Sequence, residues 1–167
     1  MEAIGFDTLN GDHKWRDSTK KELDSIDEYE TFSYKGKAIY NNGTMANSPV
    51  GYKKIRVHLI FDIKHDGRHK ARLVADGYLM EIPVESVYSG VVSIWSLRIV
   101  TFLAENNKLE LWGADKGNTY LEAWTKEKVL IVAAPEFGPR AGNALIIHRV
   151  LYGLELSGKW WSEKFWE

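Results

Sequence analysis

"KKIRVHLIFDIKHDGRHKARLVADGY", residues 53–78, carries the clearest structural signal in the chain. Ile55, Val57, Leu59, Phe61 and Ile63 fall on alternate positions with mostly polar neighbours. That is the period-two pattern of a strand with one buried face. Asp66-Gly67 then supplies turn chemistry, so the spacing predicts a hairpin. The loop length follows from the side chains. A two-residue loop would set Phe61 opposite Arg72 and Ile63 opposite Lys70, mixing the faces. A three-residue loop over 65–67 pairs Leu59 with Leu73 and Phe61 with Ala71, and sets Asp62 across from Lys70. The longer loop keeps the faces separate and gives Gly67 the left-handed position. It also leaves Lys70 and Arg72 on one polar face.

Upstream, residues 13–30 are rich in helix formers, with Trp15, Thr19, Leu23 and Ile26 three or four apart. They predict a surface helix with a narrow apolar stripe. Residues 1–12 carry Gly, Asp and Asn and are expected to form a loose lead-in to a domain over 13–167. A short strand is expected near Ala38 to Tyr40, then a turn-rich connection closed by Pro49 and Gly51. Downstream, residues 92–106 predict a helix capped by Ser93, with Trp95, Ile99, Phe102 and Leu103 on one side. Strands are expected over 108–114, 128–133 and 144–151, a helical turn over 119–123 and a loop over 134–143. A last helix carries Trp160, Trp161, Phe165 and Trp166. The fold class is therefore α+β, in one domain without internal repeats.

Composition narrows the function classes. The chain has 167 residues, enough to bury a real core, and seven Trp with eight Tyr point to aromatic packing or stacking surfaces. There is no Cys, which excludes disulfides and thiolate metal sites. An intracellular, cytoplasmic protein is comfortable with that. No basic-then-apolar run follows Met1, so no signal peptide is read, and no apolar run nears the ~20 residues of a membrane span. Net charge is −1, yet between Tyr52 and Arg72 seven Lys or Arg face two Asp, with His58, His65 and His69 among them. Such a patch can bind phosphates in a neutral protein. The three His lack the helical spacing of a zinc pair.

Asp115 stands out in "LELWGADKGNTYLEA", residues 109–123. A carboxylate where an apolar strand gives way to small residues can be a turn or a local cap. It can also be a ligand for Mg2+, which wants hard oxygen donors and is often held from strand ends beside phosphates. Lys70 and Arg72 carry the same ambiguity. They can solubilise a sheet face and pair with Asp62, or they can clamp a triphosphate, for which the Arg fork is well suited. The aromatic C-terminal cluster reads as core or as a stacking platform. No nucleophile elbow, phosphate-loop signature or dinucleotide fingerprint is present.

Taken together, the order and wording of these blocks resemble the reverse transcriptase of copia-type long-terminal-repeat retrotransposons. "KWRDSTKKELDSI" (14–26) looks like the family's opening helix, and "KARLVA" (70–75) stands in what resembles its fingers hairpin. "VYSGVVSIWSLRIV" (87–100) is similar to the following segment, where a Val-Val pair precedes a helix. The Asp115 stretch matches the first catalytic motif, and "APEFG" (134–138) and "RVLYGL" (149–154) match the loop and strand beyond it. The likeness runs from about Trp15 to the last residue.

The resemblance implies an RNA-directed DNA polymerase with a fingers and palm fold. Asp115 would be the first metal-binding carboxylate for Mg2+, and Tyr120 the ring that screens the sugar 2′ position of an incoming deoxynucleotide. Asn118 and Thr119 would offer main-chain N–H groups to its phosphates, and Lys70 and Arg72 would hold the triphosphate. Tyr152 and Gly153 would lie near the template-base pocket. The implied partners are an RNA or DNA template-primer, deoxynucleotides, the remainder of the palm, the thumb and an RNase H region. No membrane is implied, and the setting is cytoplasmic, retrotransposon particles included. Three positions depart from the family: Lys116 where an apolar residue is usual, Glu155 where a basic one is common, and Gly158 where many members have Pro. The family's second acidic motif contains two adjacent Asp, and no Asp-Asp pair occurs here. The chain is therefore expected to be a fingers and front-palm piece, truncated before that motif and inactive alone. A non-catalytic nucleic-acid-binding remnant is the alternative.

Overall fold

The structure, a computed structural model, describes residues 2–80 and 90–167. The hairpin forms as its side chains demand. Strand β5 (Val57–Ile63) pairs antiparallel with β6 (His69–Ala75), with Leu59 opposite Leu73, Phe61 opposite Ala71 and Asp62 opposite Lys70. Lys64 N–H closes the turn on the Arg68 carbonyl at 2.9 Å, leaving the three residues 65–67 as the loop. Gly67 sits at φ +80°, a region that costs a residue without Cβ nothing. Ala71, Leu73 and Ala75 are buried, so Lys70 and Arg72 take the opposite face.

A four-stranded sheet lies beside the hairpin, in the order β1 (Phe32–Lys37), β8 (Asn143–Ile147), β7 (Val129–Val132), β4 (Lys53–Lys54). Neighbours are antiparallel except β4 and β7. The period-two rule divides its residues between two layers. Val129, Ile131, Leu145 and Ile147 face the main core, while Leu130, Ala144 and Ile146 face a smaller cluster with Met45. The short pair β2 (Tyr40–Asn41) and β3 (Thr44–Met45) carries Met45 there. Helix α2 (Lys14–Glu28) supplies Leu23 and Ile26 to the main core together with Leu73 of β6. Trp15 extends the contact, its ring 5.3 Å from Phe61 and 4.2 Å from His69, both edge-on.

The mixed α+β architecture agrees with the sequence, and several local expectations do not. Residues 2–10 form helix α1 rather than a loose lead-in. Asp7, 2% exposed, ties α1 to α2, its carboxylate accepting the N–H groups of Trp15 (3.0 Å) and Arg16 (2.8 Å). Those first-turn donors of α2 have no partner within their own helix. The strand expected near residues 38–40 does not form as one piece, since β1 ends at Lys37 and Tyr40 opens β2, and the 144–151 strand ends at Ile147. Residues 135–140 of the expected loop form a 3-10 turn. Helix α3 (Ile94–Asn106) is capped by Ser93 as expected, its hydroxyl accepting Ser96 N–H at 3.1 Å. The predicted apolar face of α3 is not buried, since Trp95, Ile99, Phe102 and Leu103 are each half exposed or more. The 108–114 strand is absent: residues 109–116 run without a ladder partner among the described residues. Of the family-like stretch 87–100, residues 87–89 lie outside the described ones.

The C-terminal helix α4 (Ser157–Trp166) splits its aromatics. Trp160 joins a buried cluster with Ala123, Val150 and Leu156, whereas Phe165 and Trp166 are exposed.

Candidate functional site

Two segments distant in sequence approach each other beside the hairpin's polar face. The first is the β6 pair, Lys70 and Arg72. Lys70 is held below the usual lysine range, chiefly by burial and then by the charges of Arg72 and Lys64. Glu22 and Asp115 act on it in the opposite direction, which places both carboxylates within electrostatic reach of its ammonium. The second is the 115–122 loop. Asn118 adopts the left-handed conformation, φ 53°, at the start of a 3-10 turn over Thr119–Glu122. Asx residues tolerate that backbone better than most. Lys116 is answered locally by Glu122 at 2.5 Å.

Tyr120 is the aromatic anchor of that loop. Its ring meets Tyr152 edge-on at 4.9 Å and Trp161 at 6.4 Å, over the cluster of Ala123, Val150 and Trp160. Tyr152 in turn abuts the end of β6: its carbonyl accepts Ala75 N–H at 2.7 Å, and it forms a parallel bridge with Val74. Burial pushes the Tyr152 phenol above its ordinary range, partly offset by the Arg72 charge, with Glu22, Tyr120 and Asp115 pushing further upward. Lys70, Arg72, Asp115, Tyr120 and Tyr152 therefore share one neighbourhood. Thr119 lies in the same turn, its hydroxyl donating to the Lys116 carbonyl.

Alongside Lys70 a cleft of about 200 Å3 opens between α2 and the hairpin, lined by Ser18, Glu22, Ser25, Lys64, Arg68 and Asn118 among others. Glu22 is a neighbour of Lys70 and Arg72 that sequence reasoning missed. Its Oε1 accepts Leu73 N–H at 3.0 Å, and burial raises its carboxyl above the usual range against the lowering pull of that bond, Lys70 and Arg72. Ser25, also missed, accepts a hydrogen bond from Asn118 Nδ2 at 2.7 Å. The only signal for either is their i, i+3 spacing along the flank of the apolar stripe.

The remaining candidates lie apart. His58 pairs with Asp76 at 2.8 Å, and His69 packs on Trp15, so the histidines do not converge. Among the described residues no group of three metal-capable side chains comes together. Asp115 is exposed and contributes a single carboxylate, and Glu22 already has one oxygen on the Leu73 amide. Mg2+ keeps several oxygen ligands in near-octahedral array, so these residues by themselves do not fit the ion.

A family model described as reverse transcriptase (RNA-dependent DNA polymerase) matches residues 40–166, about three quarters of the chain and the whole neighbourhood from Lys70 to Tyr152. The chain belongs to the reverse transcriptase family. Its relatives are copia-type retrotransposon polyproteins, as the motifs imply. It is 29% identical over 140 residues to the retrovirus-related Pol polyprotein from transposon TNT 1-94 of Nicotiana tabacum, covering 77% of this chain and 10% of that protein. It is 33% identical over 106 residues to the transposon Ty1-BL Gag-Pol polyprotein of Saccharomyces cerevisiae, covering 62% of this chain and 6% of the relative. The chain thus spans a tenth or less of these polyproteins and corresponds to a fragment of their reverse transcriptase region. No solved structure matches it significantly.

Proposed function

We propose that this reverse transcriptase segment forms the nucleotide-facing part of the polymerase, its fingers hairpin and the front of its palm. In this reading Lys70 and Arg72 hold the triphosphate of an incoming deoxynucleotide, and the backbone N–H groups of Asn118 and Thr119 meet its phosphates. Tyr120, braced by Tyr152 and Trp161, screens the sugar 2′ position. Asp115 would be the one carboxylate this segment offers to a Mg2+ set whose other ligands the described residues do not supply. The supporting observation is that Tyr120 packs on Tyr152, which bridges Val74 at the end of β6, while Lys70 and Asn118 line one cleft, within a family whose model spans both segments. The partners are a template-primer and the remaining palm, thumb and RNase H regions, in the cytoplasm or in retrotransposon particles.

A second reading, a non-catalytic nucleic-acid-binding remnant, is favoured by the lack of any group of three metal-capable side chains among the described residues. Primer extension by the polyprotein polymerase carrying this segment separates the two. Asp115→Asn is expected to cut incorporation by about three orders of magnitude or more, a loss of roughly 4 kcal/mol of transition-state stabilisation, while template-primer affinity persists. Undiminished incorporation would remove Asp115 from the metal set. If even the parental polymerase incorporates nothing yet binds duplex with steep salt dependence, the remnant reading stands.

A further inference from the structure

Helix α2 touches both halves of the proposed nucleotide site from one flank. Its apolar stripe, Thr19, Leu23 and Ile26, is buried, and Asp27 near its end is gripped by Arg140 through two contacts of 2.6 Å. Asp7 closes its other end. The helix is therefore a fixed rod in this part of the molecule. One turn apart on its polar flank, Glu22 and Ser25 reach partners 51 and 93 residues away in sequence: the Leu73 amide of β6 and the Asn118 side chain of the loop.

Each contact acts on a proposed ligand-binding group without touching ligand. Leu73 follows Arg72, and its N–H points away from β5 toward the helix, where a buried amide needs an acceptor. The Glu22 oxygen satisfies it and so fixes the twist of β6 at the point from which Lys70 and Arg72 project. Asn118 sets the turn that carries Tyr120, and its left-handed backbone is the hinge of that turn. Ser25 fastens the Asn118 side chain from outside the loop.

From this geometry we infer that Glu22 and Ser25 are positioning residues, Glu22 setting the basic pair of β6 and Ser25 setting the loop that carries Tyr120. The inference rests on the nucleotide-site reading above. Both act through a backbone or side-chain partner, and they act separately. Loss of Glu22 loosens the triphosphate end of the site. Loss of Ser25 loosens the sugar end.

The test measures binding of dATP and ATP, without added metal, to the 167-residue chain by calorimetry, with thermal unfolding and amide exchange at Leu73 followed in parallel. Glu22→Ala is expected to weaken dATP binding about tenfold and to speed Leu73 exchange. Glu22→Gln, which keeps an oxygen acceptor in place, is expected to recover the affinity to within about threefold. Ser25→Ala, at a partly exposed position, should leave the melting temperature unchanged and lower the dATP-over-ATP preference about fivefold, a ratio that a purely structural role would not move. Parental affinity and parental sugar preference in Glu22→Ala and Ser25→Ala overturn the inference. So does a loss of affinity in Glu22→Ala that Glu22→Gln fails to restore, with Ser25→Ala unaltered. Absence of nucleotide binding by the parental chain is a different result, since it refutes the nucleotide-site reading itself.

Discussion

At Gly153 the backbone of the 149–154 segment presses against the end of β6. A Cβ built there would lie 2.1 Å from the Ala75 carbonyl oxygen, and the residue sits at φ +88°. Gly77 faces it in the same way, its would-be Cβ 2.1 Å from the Gly153 oxygen. The two glycines form a seam that lets Tyr152 reach the hairpin and Tyr120. Gly153→Ala must both strain the backbone and push the seam apart, so it is expected to destabilise the fold by about 3 kcal/mol in urea unfolding. Glu127 carries the other residue-scale expectation. Burial, and secondarily the negative charge of Glu155, raises its carboxyl from the ordinary 4.5 to about 7, and its Oε2 is buried without a hydrogen-bond partner. The folded state thus keeps a proton that the unfolded chain releases. Stability is greatest below about pH 4.5 as far as this group is concerned and is lost as pH rises through about 7. Glu127 is only half buried, and solvent screening reduces the effect to about 1 kcal/mol. Denaturant midpoints at pH 5 and pH 8 should show that Glu127→Gln removes this part of the pH dependence and is the more stable protein at pH 8.

Among elements, α2 and the hairpin are the pieces whose order matters most to the site. Asp7→Ala deletes the acceptor for two first-turn amides of α2 and the favourable charge at that end of its dipole. A cost of about 1–2 kcal/mol is expected, with hydrogen exchange rising first at Trp15 and Arg16; unchanged protection there would show that the cap is dispensable. The same elements show what a sequence can and cannot disclose. The hairpin was legible to the register because its partners lie within twenty residues and a one-residue slip would bury Lys70. Ser93 as a cap was legible for the same local reason. Asp7 was not, since it caps from outside the usual position, and no short pattern signals that. Residues 108–114 have the composition of a strand, yet a strand exists only beside a partner, and none is present among the described residues. The candidate site divides along the same line. Lys70 and Arg72 follow from alternation, whereas Glu22 and Ser25 are visible only once α2 and β6 are in contact.

For the whole molecule the distribution of apolar surface is uneven. The sheet, α2 and β6 bury a continuous core, but Trp95 is 67% exposed, Phe102 68% and Trp112 88%, with Leu97, Ile99, Leu109 and Leu111 also open to solvent. Single exposed apolar residues are ordinary, but a run of them on one helix and the segment after it is not. In the 167-residue chain alone this face meets water, and the hydrophobic effect favours any association that covers it. The chain is therefore expected to self-associate at tens of micromolar concentration, with a weight-average mass in sedimentation that rises with concentration. Replacing Ile99 and Phe102 together by Lys should shift the distribution toward monomer. Because both side chains are already exposed, the double variant should keep the parental unfolding midpoint to within about 0.5 kcal/mol. A parental chain that sediments as a monomer throughout would show that the α3 face is not adhesive. A variant that still associates would move the contact elsewhere, with the exposed Phe165 and Trp166 of α4 the next surface to alter.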